Sequence, residues 1–385
     1  MKWSNIWSYT QQDYRSWPSE IEQQLQVVHI RSNHHTRSLK IRFSNEYGQE
    51  ELILQSVSIR RLESEALKAS ERKAVTVGGT ERIFIFPTAH MISDEIAIDV
   101  TPGSILEIET VVKNKTILRS GTVSYSRRGV EVYNYRLEDN KKIFVEQRDL
   151  FRMIKENDQM FYIYGISGID FLVRDKAKTV VAFGDSLTQQ GFWVEHYKER
   201  LFRSGVHDCS VLNRGIGGSR ILKGQNPEND DYTRHGKAGL FRFEKEVFMY
   251  GAVDAVICLH GINDIASRHN GSGEYCYTLE EIKAGLTQYA AFTHHHGAII
   301  LIGTLTPMGG SVFYRDELEI ERQEMNAWIR QNPDFDGVFD FDVAVMDRKK
   351  PNLLQKKFDC GDGLHLSDQG GRKIAETIDI NFSLL

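Results

Sequence analysis

Residues 180–193 read VVAFGDSLTQQGFW. A run of small apolar residues, Val180 to Phe183, stops abruptly at Gly184-Asp185-Ser186. The run fits a strand buried on both faces. The turn after it has two readings. Asp and Ser are preferred helix N-caps, so the trio is sufficient to start a helix. The carboxyl end of a strand is also where an open α/β sheet places its reactive groups. The rest of the chain decides between them.

Downstream, apolar strands alternate with longer amphipathic stretches. TVVAFG, CSVLNRG, AVDAVICLHG, GAIILIGTLTP and DGVFDFD are candidate parallel strands. WVEHYKERLFRSG, TLEEIKAGLTQYAAFTHHHG, YRDELEIERQEMNAWIRQN and SDQGGRKIAETIDINF are candidate helices. This alternation predicts an α/β domain with a doubly wound, flavodoxin-like parallel sheet over residues 176–385. Upstream, VVHIRSN, SLKIRFSNEYG, LILQSVSIRRL, ERIFIFP, EIAIDV and ILEIETVV alternate apolar and polar residues between turn residues. Period-two runs at short spacing predict an all-β, antiparallel, jelly-roll-like sandwich over residues 1–175. One short helix is expected near residues 17–25. GISGIDFLVRDKAK reads as a last strand and a charged linker.

The bulk numbers agree with two domains. The chain has 385 residues, 41% hydrophobic and 26% charged, with a net charge of −5. That length exceeds one typical core. The charge gives no general attraction to nucleic acid or anionic membrane. No stretch approaches the roughly 20 apolar residues of a membrane-spanning helix, so no membrane span is expected. The polar, aromatic N-terminus has no apolar h-region, so no signal peptide is expected. The four cysteines, Cys209, Cys258, Cys276 and Cys360, form no CxxC pair. They read as reduced thiols of a cytoplasmic protein.

Taken in order, the strand ends carry chemistry. Asp185-Ser186 is followed by NRGIGGSR, then GIND, then DCGDGLHLSDQGG near the C-terminus. Ester hydrolysis needs a nucleophile, a base, a carboxylate to orient the base, and donors for the oxyanion. Ser186 is the candidate nucleophile and His365 the base. Asp362, three residues before His365, is the candidate orienting carboxylate. The backbone N–H groups of Ser186 and Gly218 and the side-chain amide of Asn263 are the candidate oxyanion donors.

Gly184-Asp185-Ser186-Leu187 resembles the nucleophile block of the GDSL, or SGNH, hydrolases. Matched block by block, the resemblance gives Ser186, Gly218, Asn263 and the pair Asp362 and His365, in family order. It covers roughly the last 200 residues, a domain-sized unit. It implies a serine carboxylic-ester hydrolase that works through an acyl-enzyme, with no metal and no cofactor. The strand-rich first half is similar to the β-sandwich ahead of some bacterial members. A sandwich beside such a domain is similar to carbohydrate-active esterases, which implies deacetylation of a carbohydrate or other small ester. A short-chain lipase or lysophospholipase is the alternative substrate class. A glycan- or partner-binding protein on a degenerate hydrolase scaffold is the alternative of another kind. No G-x-S-x-G surrounds Ser186, so the nucleophile elbow of α/β-hydrolases is not expected.

Other features have plainer readings. Asp185 is expected to be structural. Asp362 alone would read as a turn aspartate, and Asn263 or Asp264 as a helix cap. Ser367 or Asp368 is expected to cap the helix after His365. His294-His295-His296 is expected to be a solvated helix end, because successive helical residues do not face one another. Cys360 is expected to be a bystander thiol. Phe192 and Trp193 fit either a cleft wall or core packing. The polar stretch of residues 219–239 fits a lid, a wall of the site or a plain excursion. NRGIGGSR lacks the third glycine of a dinucleotide fingerprint.

Overall fold

The computed structural model describes residues 1–63, 68–139, 141–156, 159–224, 234–267 and 277–379. Among the described residues the chain divides into two compact units, one holding residues 1–177 and 201–210, the other residues 178–200, 211–224 and 235–379.

The C-terminal unit is built on five strands: β1 (Lys178–Gly184), β2 (Cys209–Gly215), β3 (Ala255–Leu259), β4 (Ile299–Gly303) and β5 (Gly337–Phe339). Their order in the sheet is β2-β1-β3-β4-β5. The pairs β1–β3, β3–β4 and β4–β5 are parallel. This is the flavodoxin-like order, with its switch point where β1 lies between β2 and β3. Every residue of β2 and β3 is buried, as is every residue of β1 after Lys178. That explains the near-continuous apolar sequence of β1 and β3, whereas β2 buries Asn213 and Arg214 by bonding them to backbone carbonyls. The helices are α1 (Ser186–Gln189), α2 (Phe192–Arg203), α3 (Gly239–Phe248), α4 (Ile262–Ser267), α5 (Leu279–His295), α6 (Asp316–Ile329), α7 (Phe341–Val345) and α8 (Asp368–Thr377). Helix α5 begins with a capping box in which Thr278 and Glu281 satisfy each other's backbone N–H groups.

The N-terminal unit is strand-rich. Its five-stranded sheet pairs Ile166–Val173 with both Lys2–Ser8 and Thr36–Ser44. Its six-stranded sheet centres on Gln24–Arg31, paired antiparallel with Ile105–Val112 and Val130–Glu138. Leu39, Ile41 and Phe43 of the first sheet and Val28, Ile30 and Ile108 of the second belong to one buried core.

The helix expected near residues 17–25 does not form. Ser19–Ile21 is a strand, and Gln24 begins the central strand of the six-stranded sheet. Gln23 has φ +47°, which a right-handed helix cannot pass through. Ladder bonds to two neighbouring strands outweigh the weak helical spacing of Ile21 and Leu25. Two short helices, Gln147–Leu150 and Arg152–Glu156, lie within the strand-rich half instead. Among the described residues, no helix is long and apolar enough to cross a membrane.

Candidate active site

Strand β1 delivers its last residue, Gly184, to the carboxyl edge of the sheet. Asp185 then caps α1, its Oδ1 accepting from the Leu187 N–H at 3.1 Å. The capping role falls to Asp185, which leaves the hydroxyl of Ser186, the first helical residue, free for another partner. Ser186 Oγ lies 2.7 Å from His365 Nε2, and His365 Nδ1 lies 2.6 Å from Asp362 Oδ2. A carboxylate only accepts, so Nδ1–H donates to Asp362. Nε2 is then left to accept the Ser186 proton. The bond from His365 holds the Asp362 carboxyl well below the ordinary carboxylate range, so it stays ionised beside the imidazole.

The loop carrying Asp362 and His365 is fixed by its own backbone. Asp359 Oδ1 accepts from the N–H groups of Gly361 at 2.7 Å and Gly363 at 3.0 Å. Asp362 Oδ1 accepts from Leu364 N–H at 3.0 Å and His365 N–H at 2.8 Å. The His365 carbonyl takes the Cys360 N–H at 3.0 Å. Ser367 then caps α8, accepting from Gly370 N–H, and its hydroxyl donates to the Lys357 carbonyl at 2.7 Å. Asp362 therefore combines the turn role and contact with the imidazole in one side chain.

The opposite wall comes from β2 and β3. Asn213 bridges β2 to α1, its Nδ2 donating to the Thr188 carbonyl at 2.8 Å while its Oδ1 accepts from Gly215 N–H at 2.9 Å. The turn after β2 lies against the serine: a β-carbon on Gly217 would stand 3.8 Å from Ser186 Cβ. Gly218 has φ +73°, and a side chain there would meet the His235 ring at 2.4 Å, so only glycine fits. Asn263, in the first turn of α4, donates one amide hydrogen to the Ser219 carbonyl at 3.0 Å. The same amide has a second hydrogen. Asp264 does not cap α4. Its carboxylate accepts from Ile221 N–H at 2.8 Å and Leu222 N–H at 3.2 Å, anchoring the chain beyond the turn.

Arg242 on α3, absent from the motifs, joins these pieces. It is buried, and its guanidinium donates to the Gly184 carbonyl at 2.7 Å, the Arg214 carbonyl at 3.0 Å and Ser219 Oγ at 3.2 Å. Its charge is paired with Glu246 at 2.7 Å. The sequence signal was available: Gly239, Arg242, Phe243 and Val247 are the buried positions of α3, so an arginine sits on the apolar stripe of the helix.

Several other residues stay apart from this chemistry. Trp193 is fully buried and packs near Phe341, which places it in the core. His294 bonds Asp336 and His296 bonds Glu244, each at 2.8 Å, so the histidine run diverges to separate partners. Cys209 and Cys258 are buried free thiols and Cys360 is an exposed one. Burial and the Asp362 charge push the Cys360 thiol up to about 11. Cys276 and residues 225–233 of the polar stretch lie outside the described residues.

The model of the GDSL-like lipase/acylhydrolase family matches residues 182–373. No curated protein matches the sequence. Among solved structures, a GDSL-like lipase from Bacteroides thetaiotaomicron is 18% identical with a TM-score of 0.39, covering 53% of this chain and 87% of its own. An acetyl xylan esterase from Geobacillus stearothermophilus is 18% identical with a TM-score of 0.41, covering 54% of this chain and 96% of its own. Residues 182–373, with their parallel sheet and Gly-Asp-Ser-Leu turn, are a GDSL-like lipase/acylhydrolase domain, and the protein is a carboxylic ester hydrolase.

Proposed function

We propose that the protein deacylates a carbohydrate or other small ester through an acyl-enzyme on Ser186, within a two-domain chain divided near residue 175. The observation that carries this is the unbroken hydrogen-bonded series Ser186 Oγ–His365–Asp362, at 2.7 Å and 2.6 Å. Ser186 Oγ attacks the ester carbonyl and its proton passes to His365 Nε2. Ionised Asp362 stabilises the imidazolium. The carbonyl oxygen becomes an oxyanion, held by the N–H groups of Ser186 and Gly218 and by the Asn263 amide hydrogen not given to Ser219. The tetrahedral species expels the alcohol oxygen, which takes the proton from His365. Water then attacks the acyl-enzyme, gives its proton to His365 and releases the acid, and the proton returns to Ser186.

The preferred acyl group is acetyl. A short-chain lipase-type reading is favoured by one observation, the exposure of Val312 and Phe313 at 93% and 51%. They follow Gly310, which packs against Gly363 of the acid–base loop. A binding protein on a degenerate scaffold is disfavoured, because Ser186, Asp362 and His365 are intact and mutually bonded.

A fluorophosphonate probe with mass spectrometry tests the nucleophile. Labelling at Ser186 that disappears in Ser186→Ala is expected, and no labelling of folded wild-type protein would sink the proposal. A p-nitrophenyl ester series from acetyl to decanoyl then separates the two acyl readings, with turnover expected to fall as the chain lengthens.

A further inference from the structure

The six-stranded sheet of the N-terminal unit turns one face to the shared core. Its other face carries an aromatic strip. Phe144 stands opposite Tyr135, and Tyr135 opposite Leu25. Directly opposed residues share a face, so these side chains stand together, away from the core face of Val28 and Ile30. Tyr133 and Glu131 continue the row along the same strand at two-residue steps. Phe144 is 54% exposed, and Tyr133 and Tyr135 are half-buried. The Tyr135 and Phe144 rings lie 5.9 Å apart, and those of His29 and Tyr133 5.3 Å apart.

Polar groups flank the strip on the same face. Glu107 accepts from Arg60 at 2.7 Å, meets His29 at 3.0 Å and also pairs with Arg72. Glu109 pairs with Lys142 at 3.1 Å. The Tyr133 hydroxyl donates to Glu131 at 3.0 Å. Three carboxylates thus stand among these three cations, and Arg31 at the end of the central strand and Arg127 near Tyr133 add two more at the edge of the face. With Glu107, Glu109 and Glu131 interleaved among the cations, the face offers a polyanion such as nucleic acid no continuous basic track. What suits it is a neutral molecule that presents flat C–H surface to aromatic rings and many hydroxyls to carboxylates and guanidinium groups.

We propose that this face, centred on Tyr133, Tyr135 and Phe144, is a platform for a neutral saccharide chain. It lies within the strand-rich unit and needs no turnover at Ser186. The test is affinity electrophoresis of the full chain carrying Ser186→Ala, through gels containing xylan, glucomannan, mixed-linkage β-glucan or pullulan. At least one polysaccharide retards the protein. Phe144→Ala and Tyr135→Ala weaken that retardation tenfold or more, while Tyr135→Phe keeps it because the ring remains. With Ser186 restored, the same variants hydrolyse p-nitrophenyl acetate at the wild-type rate, which shows that they are folded. No retardation in any gel overturns the proposal, as does full retardation of folded Phe144→Ala. Sedimentation showing a dimer that Phe144→Ala converts to monomer also overturns it, by making the face a subunit contact. Absence of labelling at Ser186 would remove the active-site reading and leave this one standing.

Discussion

Asn263 has two amide hydrogens and is seen to use one, on the Ser219 carbonyl. Its proposed contribution to the oxyanion rests on the other. Asn263→Ala is therefore expected to lower kcat by on the order of 10²–10³ with little change in KM, measured on p-nitrophenyl acetate. Asp362→Asn keeps the shape but loses the charge that faces the imidazole, and an amide turned the wrong way no longer fixes the tautomer. A kcat loss on the order of 10³–10⁴ is expected, and a loss below tenfold would remove Asp362 from the series. As candidates these residues stand out in the sequence because the chemistry restricts their type and the fold restricts their place, at strand ends. Arg242 carries a weaker signal, an arginine on the apolar stripe of α3, which marks it as buried but not as a donor to the backbone carbonyls of Gly184 and Arg214.

Elements hold those residues in place, and two backbone contacts do much of it. Gly363 sits at φ +75°, where a β-carbon would fall 2.0 Å from the Gly310 carbonyl carbon. Gly363→Ala carries about 1–2 kcal/mol of left-handed strain and a clash with backbone. It is expected to displace the loop bearing Asp362 and His365, lowering kcat more than it lowers the melting temperature. An unchanged kcat would show that the loop tolerates the shift. Arg242→Met leaves the Ser219 hydroxyl and the Arg214 carbonyl without this donor and Glu246 without its cation. A destabilisation of about 3–5 kcal/mol is expected in urea unfolding. The same scale shows where sequence reading fell short. Strands β1, β3 and β4 stand out in the sequence because near-complete burial makes them apolar, while β5 is only half-buried and β2 carries Asn213 and Arg214. Helices α1, α4 and α7 have 4, 6 and 5 residues, too short to express a period. The strand from Gln24 is hidden in the local sequence because its pairing partners are about 80 and 110 residues away.

Across the whole molecule, buried titratable groups make stability depend on pH, and in the C-terminal unit they pull in opposite directions. Burial raises Asp185 to about 7 and Asp264 to about 6. The folded state therefore holds protons that the unfolded state, titrating near 3.9, has released. Stability from these two groups is fully present below about pH 4 and is lost as pH rises through 6 and 7. The slope is about 1.4 kcal/mol per pH unit for each group within its window. His260 acts the other way. Burial and the Arg242 charge keep it far below the usual histidine range. The unfolded state binds its proton below about 6.5, so its contribution fades as pH falls. A raw stability curve mixes these three with other shifted groups, His34, Glu107 and Asp362 among them. The difference between wild type and Asp185→Asn isolates one, because the amide does not titrate and its oxygen can still accept from Leu187. Wild type is expected to lose stability relative to Asp185→Asn steadily from pH 4 to pH 7, and no further above pH 8. Thermal unfolding of both proteins across that range reads it directly. A pH-independent difference would mean that Asp185 is already ionised in the fold, with its second oxygen, which has no hydrogen-bond partner, carrying buried charge beside Ser186.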